Sequence, residues 1–517
     1  LYRAFLCGGF VGDAGSGTVS FTMKAMPFIN QLQHWAAARP HRPAVVVGTE
    51  SLDFAALRDG AAGMGHGDRT LTIIDRHAST ALAVEFCAAV AGGGVAAVLE
   101  STWPAALRAS IAAQASSWAM TLPTPVPSDM GFFDGPPDST FLLGLSSGTS
   151  GLPKAFTRSR ESWRASFVHS VDYFGLAEGC ITLAPGPMAA SMNLYALGEA
   201  IHSGTTFVAL PSFSPDAALA AIMHHAVTRL VLVPSVLGLL ARRGLESGRG
   251  PGSLTSIVCA GSALPDTILE QARRWAPNAR IDFYYGASEL GFVAATRGTE
   301  PADAAPRTDS TTVESWGAPA AGRAFPGAEL AVLGPTGALL GLEEIGSVYV
   351  RSPYVSNGYA WGDDGLSFSA ATSGNQDAVQ RSGQWFTVHD QGYLRGDGVL
   401  HLVGRAQDMV ITSGSNVYPQ QVEQALEGHP ADGTVVVTGI ADPIRGQRLV
   451  AGLVAGTLPM DDFLRACRER AARLPAHQRP TLYFALSRSP LSAGGKPSRT
   501  LLREWITAKG AHAQRIY

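Results

Sequence analysis

Charge is scarce in this chain. Only 16% of its 517 residues are Asp, Glu, Lys or Arg, and the formal net charge is −3. No basic excess recommends a nucleic acid or an anionic membrane surface as partner. Cysteine is scarce too: five residues (Cys7, Cys87, Cys180, Cys259, Cys467), odd in number, with no Cys-x-x-Cys pair. That argues against a disulfide framework or zinc site and makes a reducing cytoplasm the expected compartment. Long uninterrupted apolar runs are missing. The longest, residues 81–99, carries Glu85 and breaks at Gly92-Gly93-Gly94. It reads as a buried helix, a turn and a strand rather than a membrane span. The Gly/Ser-rich residues 1–25 show no secretion signal and read as a disordered leader or added sequence.

What is present is alternation. Short apolar or β-branched runs at 44–47, 71–74, 95–99, 141–145, 206–210, 230–233 and 256–260 are separated by helical patterns. Such alternation predicts an α/β architecture. Residues 159–174 read as a helix, with Trp163, Phe167 and Val171 at i, i+4, i+8 and a stop at Gly175. Pro/Gly-rich or polar connections are expected at 122–137, 246–253, 299–319 and 362–383. The last hundred or so residues, from about Gly404-Arg405, read as a separate compact unit with strands at 434–437, 449–454 and 483–486. Its helices are expected at 419–427 and 460–473.

Four clusters carry chemistry. The first is Ser146-Ser147-Gly148-Thr149-Ser150-Gly151-Leu152-Pro153-Lys154. Hydroxyls and glycines in this density can bring several N–H and O–H donors onto a phosphate. It fails the Walker A pattern, because Pro153 precedes the lysine and Ala155 follows it. The second is Tyr284-Tyr285-Gly286-Ala287-Ser288-Glu289, in which a ring can stack on a base, a hydroxyl can meet a phosphate and a carboxylate can hold Mg²⁺. The third runs from Trp385 to Arg405. There Asp390 can accept ribose hydroxyls, and a hairpin at Asp397-Gly398 would return Arg405 toward the same ligand. The fourth is Gly494-Gly495-Lys496, a lysine on a glycine-flanked loop.

In this order and spacing the four clusters resemble the adenylate-forming superfamily of acyl-CoA synthetases, luciferases and amino-acid adenylation domains. Weaker markers resemble it too: 51–57, Cys259-Ala260-Gly261-Ser262-Ala263-Leu264-Pro265, and 404–423. The likeness spans about 29–506. It implies a large N-terminal domain of mixed sheets and helices binding ATP and the acyl group (26–404). A small mobile α+β catalytic domain would follow (405–517). It also implies activation of a carboxylic acid by ATP to acyl-AMP, then thioester formation with CoA, with Mg²⁺ as cofactor.

Residue by residue, the resemblance assigns the β- and γ-phosphates to the 146–154 loop, with Thr149 their direct ligand and also near the metal. Gly261, Ser262 and Ala263 would line adenine, Tyr285 would stack on it, and Gly286 would belong to the same nucleotide site. Ser288 would touch the α-phosphate, Glu289 the Mg²⁺ and Asp390 the ribose, with Arg405 beside it. Gln407 takes the hinge position and Gly414 faces the thiol channel. Lys496 would stabilise charge on the α-phosphate during adenylation. Two departures stand out. Val388-His389-Asp390 replaces the usual Thr-Gly-Asp, so nucleotide packing is expected to differ there. The acyl-pocket segment Ala189-Ala190-Ser191-Met192 lacks a bulky aromatic or an Asp, which predicts a roomy apolar cavity and a bulky hydrophobic acid. The alternatives are an acyl-AMP ligase loading a separate carrier protein, and a non-catalytic ligand-binding homologue. A monomer or homodimer is expected.

Overall fold

The computed structural model describes residues 28–64, 71–122, 132–146, 152–298, 320–363, 365, 367–371, 384–412, 415–428, 432–491, 497–508 and 510–517. They form three sheets with helices packed against them. Among the described residues no helix is long and apolar enough to cross a membrane.

The largest sheet has a parallel half and an antiparallel half. The parallel half runs in the order Pro43–Val47, Thr206–Ala209, Ile181–Ala184, Arg229–Leu232, Ser256–Ala260, Arg280–Ala287. The first five are short apolar runs of the sequence, and almost all their residues are buried. Strands covered by helices on both faces need apolar residues throughout rather than alternation. Antiparallel strands Gly291–Thr296, Ala320–Ala324, Leu400–Arg405 and Asp390–Leu394 continue the sheet.

A second sheet contains Leu71–Ile74, Val95–Val98, Thr140–Ser146, Lys154–Ser159 and Tyr359–Trp361. Its antiparallel strands Thr140–Ser146 and Lys154–Ser159 pair Ser146 with Lys154. The helix expected over 159–174 is Arg160–Phe174. Ser159 caps its N-terminus by accepting from the Ser162 N–H, and Gly175 ends it with φ 69°, a left-handed conformation natural to glycine. Trp163 and Phe167 enter the main core, beside Phe28, Phe141, Tyr195 and Phe292.

The third sheet lies wholly within Val410–Arg515, and two apolar clusters drawn only from residues beyond 409 pack on it. Helices Pro419–Leu426, Met460–Ala471 and Arg499–Thr507 flank it. The last of these and the strand pair Val410–Thr412/Ser415–Val417 were not read from the sequence. The short turn Ala406–Asp408 joins this sheet to the large one.

Candidate active site

Parallel strands Ser256–Ala260 and Arg280–Ala287 end side by side, with Ala260 paired to Tyr284. Gly261 follows at φ 94°, leading through Ser262 and Ala263 into helix Asp266–Trp275. The segment expected at the adenine and the tyrosine expected to stack on it therefore meet at the carboxyl end of a parallel sheet. That end is the usual ligand crevice of such folds.

Strand alternation sends Tyr284 and Tyr285 to opposite faces. Tyr284 joins Phe174 and Phe292. The Tyr285 hydroxyl donates to Asp390 Oδ2 at 2.5 Å. Burial and the Asp390 charge push the Tyr285 phenol well above its ordinary range. Asp390 is the register partner of Arg405, and Arg405 Nε lies 3.3 Å from Asp390 Oδ1. The hairpin turn at Gly398, φ 81°, makes that pairing. Four ladder steps separate the Tyr285 and Asp390 strands. At about 4.8 Å per step a flat sheet would hold them roughly 19 Å apart. Contact between their side chains means that the sheet curls back on itself.

Glu289 sits just past the strand end, almost fully buried. Its Oε1 accepts from the Tyr359 hydroxyl at 2.7 Å, and its carbonyl accepts from the Ser356 N–H at 2.7 Å. The Ser288 carbonyl accepts from Arg158 Nη2 at 2.6 Å, and Arg158 Nη1 donates to the Tyr354 carbonyl. Burial lowers the Arg158 guanidinium to about 10, opposed by the Glu289 charge. Arg158 thus clamps the backbone that carries Ser288 and Glu289. Sequence reasoning missed it; an arginine in the run Lys154–Ser159, all of it buried, was the available signal. Among the described residues no group of three or more His, Cys, Asp or Glu could hold a metal. Mg²⁺ on a nucleotide needs only one or two carboxylates plus phosphates, so the donor set at Glu289 fits.

Lys154 begins its strand, nearly buried, with Nζ donating to Ser367 Oγ at 2.5 Å and lying 5.8 Å from the Tyr359 ring centre. It is therefore close to the residue that holds Glu289. His389 holds φ 61°, a left-handed backbone that glycine adopts freely and histidine rarely does. Its Nε2 is 3.1 Å from Ser369 Oγ, its carbonyl accepts from the Ala406 N–H at 3.1 Å, and its own N–H donates to Thr387 Oγ1 at 2.9 Å. Packing beside Asp390 thus uses side-chain contacts that glycine could not make.

Gln407 lies in the turn Ala406–Asp408. Next to it, Asp408 Oδ2 accepts from Arg499 Nη1 at 3.0 Å, and Glu423 Oε2 accepts from Arg499 Nη2 at 2.6 Å. Burial raises the Glu423 carboxyl to about 7, opposed by Arg499. Ser147, Gly148, Thr149, Ser150, Gly151, Gly414 and Lys496 lie outside the described residues.

Ala189 and Ala190 lead into helix Ser191–Ser203. Ala189 and Ser191 line a small cavity with Val98, Leu142 and Leu194. Met192 lines another with Tyr195, Tyr284 and Phe292. Each has room for about one water molecule. Ala189 and Met192 pack on the core that includes Phe174 and Phe292.

The family model described as AMP-binding enzyme matches residues 132–360. The chain is 30% identical over 379 residues to the indoleacetate–CoA ligase of Aromatoleum aromaticum, covering 72% of this chain and 68% of that one. It is 30% identical over 369 residues to the 2-succinylbenzoate–CoA ligase of Bacillus velezensis, covering 71% and 69%. The structure of o-succinylbenzoate CoA synthetase from Bacillus subtilis with its acyl-adenylate intermediate shares the fold. Its TM-score is 0.75 at 23% identity, over 92% of this chain and 98% of that one. The chain belongs to the AMP-binding enzyme family of adenylate-forming enzymes.

Proposed function

We propose that this chain is an AMP-forming acid–thiol ligase that makes an acyl-CoA from a carboxylic acid, ATP and CoA. The observation that carries the reading is the convergence of Tyr285, Asp390, Arg405 and Glu289 at the carboxyl end of the parallel strands. Family membership and the CoA-ligase names of the relatives support it.

In the first step an oxygen of the acid attacks the α-phosphorus of ATP, and the bond to the β-phosphate oxygen breaks. Pyrophosphate leaves and acyl-AMP forms. Asp390 binds the ribose hydroxyls and Tyr285 stacks on adenine, which fix the α-phosphate in place. Mg²⁺ bound at Glu289 supplies charge neutralisation at the phosphates. Lys496 stabilises the charge that develops on the α-phosphate oxygens. In the second step the thiol sulfur attacks the acyl carbon, AMP departs and the thiol proton is lost. Residues 405–517 move between the steps about Gln407, withdrawing Lys496 and bringing Gly414 to the thiol path. The acid is a bulky hydrophobic one, a reading supported by the two alanines at 189 and 190 and by the ring-bearing acids in the relatives' names.

The test separates the half-reactions. Lys496→Ala is expected to lower pyrophosphate exchange about 10²–10³-fold, while supplied acyl-AMP and CoA still give thioester detected by mass. Equal loss of both steps would refute the assignment of Lys496. Exchange without any thioester on CoA would move the thiol to a carrier protein.

A further inference from the structure

Glu289 is almost fully buried, yet among the described residues no lysine, arginine or histidine forms an ion pair with it. A buried carboxylate left in that state is costly to keep charged. Arg158 is near enough to feel its charge, but the guanidinium donates to the Ser288 and Tyr354 carbonyls instead. Among the described residues the donor to the Glu289 carboxylate is the Tyr359 phenol, 2.7 Å from Oε1. A phenol is neutral. It fixes the direction of the carboxylate without cancelling its charge, and it leaves Oε2 to another ligand. Mg²⁺ takes oxygen ligands in near-ideal octahedral geometry, which one carboxylate oxygen can meet while the other is tied back.

Tyr359 is itself held on a rigid element. It opens strand Tyr359–Trp361, in register with Phe156 on strand Lys154–Ser159. Just before it, the Gly358 carbonyl accepts from the Thr157 N–H at 2.9 Å, and the Asn357 N–H donates to the Thr157 carbonyl at 2.9 Å. The Ser356 N–H donates to the Glu289 carbonyl at 2.7 Å. At the far end Trp361 Nε1 donates to the Pro153 carbonyl at 2.9 Å. Residues 356–361 thus grip Glu289 by backbone and side chain while bonded to the strand that follows the hydroxyl-rich stretch. An orienting group on such a scaffold keeps its ligand aimed before the metal arrives.

We propose that Tyr359 is a positioning residue for the metal, acting through Glu289: its phenol holds Oε1, so that Oε2 is presented, with the carboxylate charge intact, to the Mg²⁺ of the nucleotide. The inference rests on the reading of Glu289 as the Mg²⁺ ligand and adds the residue that orients it.

No turnover is needed to test it. α,β-Methylene-ATP cannot be cleaved at the bond that adenylation breaks. It is titrated calorimetrically into the full chain with Mg²⁺ and again with EDTA, and the ratio of the two dissociation constants reads the metal's effect. Native binding is expected to be tighter with Mg²⁺, and Glu289→Gln is expected to remove that gain. Tyr359→Phe keeps the ring and its edge-on contact with Phe368. It is expected to lower the ratio by about tenfold, or to one, because outer-shell partners of metal ligands contribute about 10–100-fold to metal affinity. Its dissociation constant in EDTA is expected to stay at the native value. In pyrophosphate exchange it is expected to need about tenfold more Mg²⁺ for half-maximal rate and to recover kcat at saturating metal. A native ratio that survives in Tyr359→Phe, with or without a lower melting temperature, would overturn the proposal and leave a phenol that only packs. Equal weakening in Mg²⁺ and in EDTA would overturn it too. If the native ratio is one, or Glu289→Gln keeps the native ratio, the Mg²⁺ reading of Glu289 fails instead, and the role of Tyr359 falls with it.

Discussion

Two carboxylate–guanidinium pairs flank one strand, and they differ in almost everything else. Asp390 and Arg405 stand 3.3 Å apart, with the arginine side chain 63% exposed. Glu199 and Arg229 stand 2.8 Å apart, at 1% and 3% exposure. Each lies near one of two consecutive tyrosines: Tyr285 donates to Asp390, and Tyr284 shares a cavity wall with Glu199. Because side chains alternate along a strand, one short sequence serves two compartments. In the first pair Arg405 reaches solvent while the Asp390 side chain is only 13% exposed, so that pair is open on one side. The second pair is sealed, and removing one partner strands a buried charge, at about 3–5 kcal/mol. Exposure, more than distance, separates the pair suited to transient binding from the pair that shapes a cavity.

That contrast can be broken by mutation. Glu199→Leu leaves Arg229 buried alone and is expected to destabilise the fold by about 3–5 kcal/mol, read as a fall in the urea midpoint. A loss below about 1 kcal/mol would show that water already reaches the pair. Asp390→Asn is expected to shift stability by under about 1 kcal/mol yet weaken a charge-assisted bond to ribose. That loss is worth about 1.5–3 kcal/mol, read as a rise in the KM for ATP; an unchanged KM would remove Asp390 from the nucleotide site. Tyr285→Phe keeps the ring and deletes the hydroxyl. Its effect on that KM is expected to be smaller than that of Asp390→Asn, because the carboxylate retains Arg405 and further lone pairs for the ligand. The reverse order would make the phenol, rather than the carboxylate, the main anchor.

A third buried carboxylate sharpens the comparison. Asp134 accepts from the Ile29 and Asn30 N–H groups at 3.2 and 3.0 Å. Arg160 lies near enough to attract it, but its guanidinium donates to the Val90, Gly94 and Thr140 carbonyls and to Ser139 Oγ. Burial outweighs these contacts and raises the Asp134 carboxyl from 3.8 to about 6. The folded state therefore holds this proton more tightly than the unfolded chain. The stabilisation is fully present below pH 3.8 and is lost as pH rises through about 6. Its slope is at most about 1.4 kcal/mol per pH unit. Urea unfolding across that range should show this component in the native protein and lack it in Asp134→Asn. Identical slopes would mean that Asp134 binds its proton equally in the folded and unfolded states.

Much of the fold was legible in the chain because its signals are local. Helix Arg160–Phe174 matches its predicted range within one residue and keeps the predicted stripe and stop. The parallel strands are short apolar runs, since burial on both faces leaves polar residues few places. The hairpin joining Asp390 to Arg405 was announced by Asp397-Gly398. Arg158, Glu199, Arg229 and Tyr359 were not legible. Each is an ordinary polar residue in its own segment, and its partner lies far along the chain: 130 residues for Arg158 and Ser288, 70 for Tyr359 and Glu289.

By itself, then, the sequence determined the alternation of strands and helices and the order of the motifs that mark an adenylate-forming enzyme. These depend on residue type and spacing over a few positions. Only the tertiary structure decided that the sheet curls until Tyr285 meets Asp390, that Arg158 holds the backbone of Ser288, and that Glu199 faces Arg229 inside an aromatic wall. Whether a charge is open or sealed depends on what the rest of the chain packs around it, and local sequence carries no measure of that.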